Sequence, residues 1–226
     1  ALIKTAQHGI FGYSVTPDEF FVSIADFFGR RHGYRPNPQD MIFCTGVVAA
    51  ISSMVRKLTT PAENVLIQPP VYNIFYNSIL NSGRNVLTND LIYDGGEWHI
   101  DFADLEEKLG NPQTSLMILC NPHNPVGCVW DRETLAKIGE LCKKHGVTVI
   151  SDEIHCSLTV PGVNYTPFAS VNETCADISA TCVAASKAFN LAGLQSSAVI
   201  VKNPHLRHKI WRGINTDEVG EPNIFA

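Results

Sequence analysis

Seven short apolar runs recur along the chain, with helix-period segments between most of them, and this alternation constrains the fold more than any other feature. The runs are Met41–Cys44, Val65–Gln68, Asn85–Thr88, Leu116–Cys120, Val147–Ser151, Ile178–Ala184 and Ala198–Val201. Between them, Gly46–Leu58 sets Val48, Ile51, Val55 and Leu58 at helical spacing, and Val71–Leu80 is aromatic-rich. Asp131–His145 carries a stripe of Leu135, Ile138, Leu141 and Cys142, with Asp131 as cap and Gly146 as stop. Strand–helix–strand units of this kind imply a mostly parallel sheet with right-handed crossovers. The chain therefore reads as one layered α/β domain, and 226 residues suffice for a large core.

Ahead of the first run, Thr16-Pro17-Asp18-Glu19 predicts a helix start. Thr16 is the expected N-cap, Pro17 the first helical residue, and Glu19 the partner in a capping box. Phe20, Ile24, Phe27 and Phe28 then share a face, and Gly33 is the expected stop. Phe11–Ser14 reads as loop, and Tyr93–Trp98 as a turn around Gly95-Gly96. Pro222–Ala226 reads as the start of a further helix. The chain opens without methionine and breaks off there, so a fragment of a longer protein is expected.

Charge and cysteine usage narrow the class. A net charge of −5 offers no basic footprint for nucleic acid, and no apolar run is long enough to span a bilayer. The seven cysteines are odd in number, form no CxxC pair and sit largely in apolar runs. They are expected to be reduced core thiols of a cytosolic protein, not disulfides or zinc ligands. His205 and His208 share a helix face without a third ligand nearby, so no metal is expected.

In parallel sheets, ligands bind at the carboxyl ends of the strands. That rule selects Thr45–Val48, Pro69–Tyr72, Asn121–Pro125, Asp152–His155 and Ser186-Lys187. Lys187 follows a strand that looks buried, where a bare charge is costly. Burial would lower its pKa and make the amine nucleophilic, able to condense with an aldehyde; the alternative is a lysine that snorkels to solvent. Gly46-Val47-Val48 opens a helix directly after a strand, an arrangement that binds anions. His155 lies three residues after Asp152, so alternation puts the two on opposite sides unless the strand has ended.

N-P-H-N-P-V-G (121–127), S-D-E-I-H (151–155) and A-S-K-A-F-N-L-A-G (185–193), in that order and spacing, resemble the fold-type I pyridoxal-phosphate enzymes. The likeness is greatest to the MalY/PatB-type cysteine–sulfur β-lyases of the aminotransferase class I/II superfamily, and it runs from Phe11 to Ala226. It implies a three-layer α/β/α large domain with a mostly parallel, about seven-stranded sheet. Residues 1–226 would be that cofactor-binding domain with part of an N-terminal arm, and a C-terminal small domain would lie outside this chain.

The resemblance also implies a cofactor, pyridoxal 5'-phosphate, and roles for named residues. Lys187 would carry the cofactor and take the substrate's Cα proton. Asp152 would face the ring nitrogen, Asn124 the phenolic oxygen, and Tyr72 the ring face. Gly46, Val47, Val48 and Ser186 would hold the phosphate. Tyr13 would reach the phosphate of a neighbouring copy, which implies a homodimer. His155 would line the site or be a structural histidine. The implied activity is α,β-elimination on a small amino-acid substrate such as cystathionine or a cysteine S-conjugate, giving thiol, pyruvate and ammonia. An aminotransferase, or a regulatory protein on the same scaffold, is the alternative. Gln195 stands where ordinary class I aminotransferases carry an arginine, eight residues after the lysine, which favours the lyase branch. Ala184 stands where many relatives have a serine. Without the small domain's carboxylate-binding arginine, the chain is expected to bind the cofactor but to turn over poorly.

Overall fold

The computed structural model describes residues 2–226. Its strands are β1 (Met41–Cys44), β2 (Asn64–Ile67), β3 (Asn85–Thr88), β4 (Ile92–Asp94), β5 (Glu97–His99), β6 (Thr114–Cys120), β7 (Thr148–Asp152), β8 (Ser179–Val183) and β9 (Ser197–Ile200). Its helices are α1 (Leu2–His8), α2 (Asp18–His32), α3 (Val47–Leu58), α4 (Ile74–Leu80), α5 (Phe102–Leu109), α6 (Arg132–His145), α7 (Glu173–Ile178) and α8 (Pro204–Thr216).

The seven apolar runs are the strands of one seven-stranded sheet, in the order β1-β9-β8-β7-β6-β2-β3. Pairing is parallel from β8 through β7, β6 and β2 to β3. Only β9 runs against its neighbours, β1 and β8.

The central strands are covered on both faces, which is why they read as continuous apolar runs instead of alternating ones. On β6, Leu116, Ile118 and Cys120 enter one core, backed by Ile51 and Met54 of α3, Phe75 of α4 and Ile210 of α8. Met117 and Leu119 enter the opposite core, backed by Leu105 of α5, Leu135 and Ile138 of α6 and Cys175 of α7. Each fully buried leucine, isoleucine or phenylalanine contributes roughly 1.5–3 kcal/mol, so these two layers fix the register of the sheet. A smaller core seats Ala25 and Phe28 of α2 against Met41, Ala198 and Ile200.

Helix ends agree with the sequence in part. The Asp131 side chain accepts from the Thr134 N–H at 2.7 Å, and Gly146 closes α6 with φ +71°. Gly33 closes α2 with φ +67°. At the other end of α2 the expected capping box is absent. The helix begins at Asp18, Pro17 is the N-cap in extended backbone, and no side chain caps it. Asp18 and Glu19 in the first turn complement the helix dipole instead.

Three further segments differ from expectation. Tyr93–Trp98 is part of a two-stranded hairpin of β4 and β5, turning at Gly95-Gly96 with φ of +60° and +89°; strands of three residues leave no readable period. Helix α4 starts at Ile74, later than Val71, because Val71 bridges to Pro125 in a neighbouring loop. Pro222–Ala226 forms no helix: Asn223 accepts from the Phe225 N–H at 2.8 Å and donates to the Leu194 carbonyl at 2.9 Å. All seven cysteines are free thiols, six of them buried. Among the described residues no helix is long and apolar enough to cross a membrane.

Gly139 marks the closest approach of two elements. A Cβ there would lie 2.4 Å from the Cys175 Sγ, where α7 packs on α6. Alanine gains up to about 1 kcal/mol of helix propensity, but overpacking costs about 1–3 kcal/mol, so the clash wins. Gly139→Ala is therefore expected to lower the urea midpoint, and adding Cys175→Ala to restore part of it. A stabilised single variant would contradict this packing.

Candidate active site

The parallel strands deliver their carboxyl ends to one edge, and the residues just beyond them enclose a cavity of about 240 Å³. Gly46, Val47 and Val48 line it from the start of α3, and Tyr72 and Asn124 from the loops after β2 and β6. Asp152 and His155 line it from the end of β7, and Ser186 and Lys187 from the loop after β8. Nine of the ten residues expected to form a site thus share one cavity; Tyr13 does not, and is fully exposed. A larger hollow of about 650 Å³ lies along α2, but its lining is mainly apolar and Glu19 is its only charged residue. Size therefore does not single out the site; the assembled chemistry does.

The α3 terminus supplies backbone donors. The first intrahelical bond runs from the Ala50 N–H to the Gly46 carbonyl at 2.9 Å, so the N–H groups of Val47, Val48 and Ala49 precede the ladder. Gly46 is extended, with φ −177°, so no turn requires glycine here. A Cβ on it would meet no protein atom within 4 Å. The missing side chain leaves open space at a helix start that favours an anion.

Asp152 ends β7 between two thiols, in register with Cys120 on β6 and Cys182 on β8. It is 5% exposed, and its Oδ1 accepts from the Ile154 N–H at 3.1 Å. Burial pushes its pKa up to about 6, against the opposing pull of that bond and of the Lys187 charge. A buried carboxylate facing a cavity and lacking a close cation has the chemistry to receive a cationic N–H.

Lys187 sits differently from expectation. Strand β8 ends at Val183, and the small residues that follow continue as loop, so the amine is exposed at the cavity instead of buried at a strand end. The loop is held by the Phe189 N–H on the Ala185 carbonyl at 2.9 Å and the Leu191 N–H on the Ser186 carbonyl at 3.1 Å.

His155 reaches the same cavity as Asp152 because the strand has ended. A turn closed by the Cys156 N–H on the Glu153 carbonyl, at 3.0 Å, brings it round. Burial, and then the Lys187 charge, hold its pKa below the ordinary value. Tyr72 is half-buried and lies edge-on to Phe75, with ring centres 5.8 Å apart. Asn124 is half-buried, and its backbone N–H donates to the Cys120 Sγ at 3.3 Å.

Strand-end reasoning missed Gln195 and Ser196 as lining residues. Because β9 is antiparallel, its amino end stands at the edge where the other strands finish. The readable signal is the lack of a helical stripe between β8 and β9, since parallel neighbours need a crossover. Glu153 lies within the selected Asp152–His155 segment but does not line the cavity. It is fully buried and accepts from the Tyr165 hydroxyl, from the Ser151 Oγ at 2.8 Å and from the Phe168 N–H at 2.9 Å.

The arrangement comprises an amine, a buried acid, an amide, an aromatic ring and the N-terminal N–H groups of α3 around one cavity. Residues 1–214 match the aminotransferase class I and II family, and the chain belongs to it. It is similar to cystathionine beta-lyase PatB of Bacillus subtilis (strain 168), 46% identical over 226 residues, covering 100% of this chain and 58% of that protein. Protein MalY of Escherichia coli (strain K12) is 32% identical over 228 residues, with 100% and 58% covered. Among solved structures, cystalysin from Treponema denticola, which contains a pyridoxal 5'-phosphate cofactor, superposes with a TM-score of 0.93 at 34% identity. That match covers 98% of this chain and 56% of cystalysin. The chain thus spans 58% of the length of the first two relatives.

Burial gives Glu153 a measurable pH signature. Its pKa is pushed up to about 7 from an ordinary 4.5, overcoming its three hydrogen bonds. Between those values the folded chain holds a proton that the unfolded chain has lost, so this group's contribution falls as pH rises. His123 opposes it, since burial lowers its pKa to about 4 from 6.5 and its contribution rises with pH. Comparison with Glu153→Gln isolates the carboxylate. Relative to wild type, that variant is expected to gain about 3 kcal/mol of unfolding free energy between pH 4 and pH 8. A pH-independent difference would contradict the assignment.

Proposed function

We propose that the chain forms the cofactor-binding large domain of a pyridoxal-phosphate-dependent carbon–sulfur lyase. The reaction consumes a cysteine thioether and water and yields a thiol, pyruvate and ammonia. The observation that carries this reading is the convergence of Lys187, Asp152 and Asn124 beside the α3 terminus in one cavity. The 46% identity to a cystathionine beta-lyase across the whole chain supports the lyase class. Gln195 at the cavity, in place of the arginine that the resemblance to ordinary class I aminotransferases would lead one to expect, supports it further.

The donor set fits the cofactor. Free N–H groups at the α3 start, with Ser186, suit its phosphate. Asp152 suits a protonated ring nitrogen, Asn124 the phenolic oxygen, and Tyr72 the ring face. When bound, pyridoxal phosphate supplies an aldehyde that joins amines and a ring that accepts the electron pair left at Cα. The protein's own part is positional and acid–base. Lys187 holds the cofactor through its Nζ and moves the substrate's Cα proton. Asp152 keeps the ring nitrogen protonated, and His155 lines the same cavity as Asn124 and Lys187. Tyr13 is assigned to the phosphate of a second copy in a homodimer; its full exposure and its absence from the lining of this chain's own cavity support that role.

Pyruvate release from cystathionine or an S-alkyl cysteine, measured on a full-length protein that contains this domain, tests the reading. Activity is expected to depend on added pyridoxal phosphate and to fall by about 10²–10⁴-fold in Lys187→Ala. Asp152→Asn is expected to lose activity without losing the fold. Amine transfer that requires a keto acid, with no pyruvate from either thioether, would favour an aminotransferase and overturn the lyase assignment.

A further inference from the structure

His123 is a buried polar side chain that the reaction does not use, and it stands directly before Asn124. It is 2% exposed, and its Nε2 lies 3.1 Å from the Pro70 carbonyl oxygen. A carbonyl only accepts, so Nε2 carries the hydrogen and donates across the gap between two loops. One loop follows β2 and carries Tyr72; the other follows β6 and carries Asn124. Proline offers no N–H and Pro70 lies outside the sheet ladder, so the imidazole gives its carbonyl a buried partner. The other ring nitrogen, Nδ1, is buried with no partner in good hydrogen-bond geometry, although the Gln68 and Cys120 backbone also faces the ring.

The surroundings make this side chain a rigid post. Its backbone N–H donates to the Cys128 carbonyl at 2.7 Å, and its carbonyl accepts from the Gly127 N–H at 2.8 Å. These two bonds close the 123–128 loop into a small hairpin. Its ring meets the Trp130 ring edge-on, with centres 5.7 Å apart. Beneath it, the Cys120 Sγ accepts from the Asn124 N–H. Beside it, Val71 bridges Pro125. Among the described residues, His123 is the one side chain that hydrogen-bonds from the Asn124 loop to the Tyr72 loop.

We infer that His123 is a positioning residue that fixes Asn124 relative to Tyr72, and so sets how the cofactor's phenolic oxygen is held while its ring is stacked. The inference rests on the proposed roles of those two residues and goes beyond them by naming what keeps them in register.

The test uses the protein loaded with pyridoxal phosphate and compares His123→Phe, His123→Gln, Asn124→Ala and the double variant His123→Phe/Asn124→Ala. The readouts are the pH midpoint of the cofactor's visible band, the cofactor Kd and the thermal midpoint. His123→Phe is expected to shift the band's pH midpoint and to weaken cofactor binding about tenfold, the equivalent of one lost hydrogen bond. His123→Gln, which keeps a side-chain N–H, is expected to restore most of both, and His123→Ala serves if the phenylalanine does not fold. In the Asn124→Ala background, removing His123 is expected to leave the band's midpoint where it is, because the post then has nothing to position. A His123→Phe protein with an unchanged band and Kd but a lower thermal midpoint would overturn the inference. So would additive effects in the double variant. An Asn124→Ala protein with an unchanged band would remove the underlying reading of Asn124, and the inference with it, and is distinguishable because it does not involve His123.

Discussion

Burial of the central strands on both faces is the constraint on which the rest of the structure depends. Because Leu116, Ile118 and Cys120 must face one core while Met117 and Leu119 face the other, β6 cannot slip by one residue without exposing both sets. The same holds for β2, where Val65 and Ile67 oppose Leu66. Register fixed in this way decides which residues emerge at the carboxyl edge. Asp152 then lies beside Cys120 and Cys182, and Asn121 is placed so that its N–H reaches the Asp152 carbonyl at 3.0 Å. The site is a consequence of sheet packing before it is a matter of loop sequence.

Electrostatics at that edge is set by the same packing. Two adjacent carboxylates, Asp152 and Glu153, are both removed from solvent, and alternation sends them to different environments. Glu153 turns into the protein and is satisfied by three neutral donors. Asp152 turns to the cavity with one backbone donor and the Lys187 charge acting on it. The inward carboxylate is a structural anchor for the segment from Tyr165 to Phe168, and the outward one is free to pair with a ligand. The neighbouring thiols contribute small, weakly polar surface, so little competes with a cation for Asp152.

Much of this was legible in the sequence because buried parallel strands announce themselves as apolar runs. All seven strands of the main sheet were visible that way, and of the residues at their carboxyl ends that the strand-end rule selects, eleven share the cavity. What was not legible had local causes. The hairpin of β4 and β5 is too short to display a period. Ala184 and Ala185 extend the apolar run after β8 without extending the strand, which made Lys187 look buried when it is exposed. Gln195 and Ser196 depend on β9 running antiparallel, a fact of pairing and not of composition. The Thr16 capping box had the right letters, but the chain enters α2 through Pro17, and Thr16 makes no capping bond.

The central claim is that this edge assembles a pyridoxal-phosphate site around Lys187. It is tested most directly by treating the cofactor-loaded protein with borohydride, digesting it and mapping the modified residue by mass spectrometry. The expected result is a visible band that borohydride abolishes, with the pyridoxyl group fixed on Lys187 and absent from Lys187→Ala. A stable modification on another lysine, or a folded protein that develops no band at saturating cofactor, would contradict it.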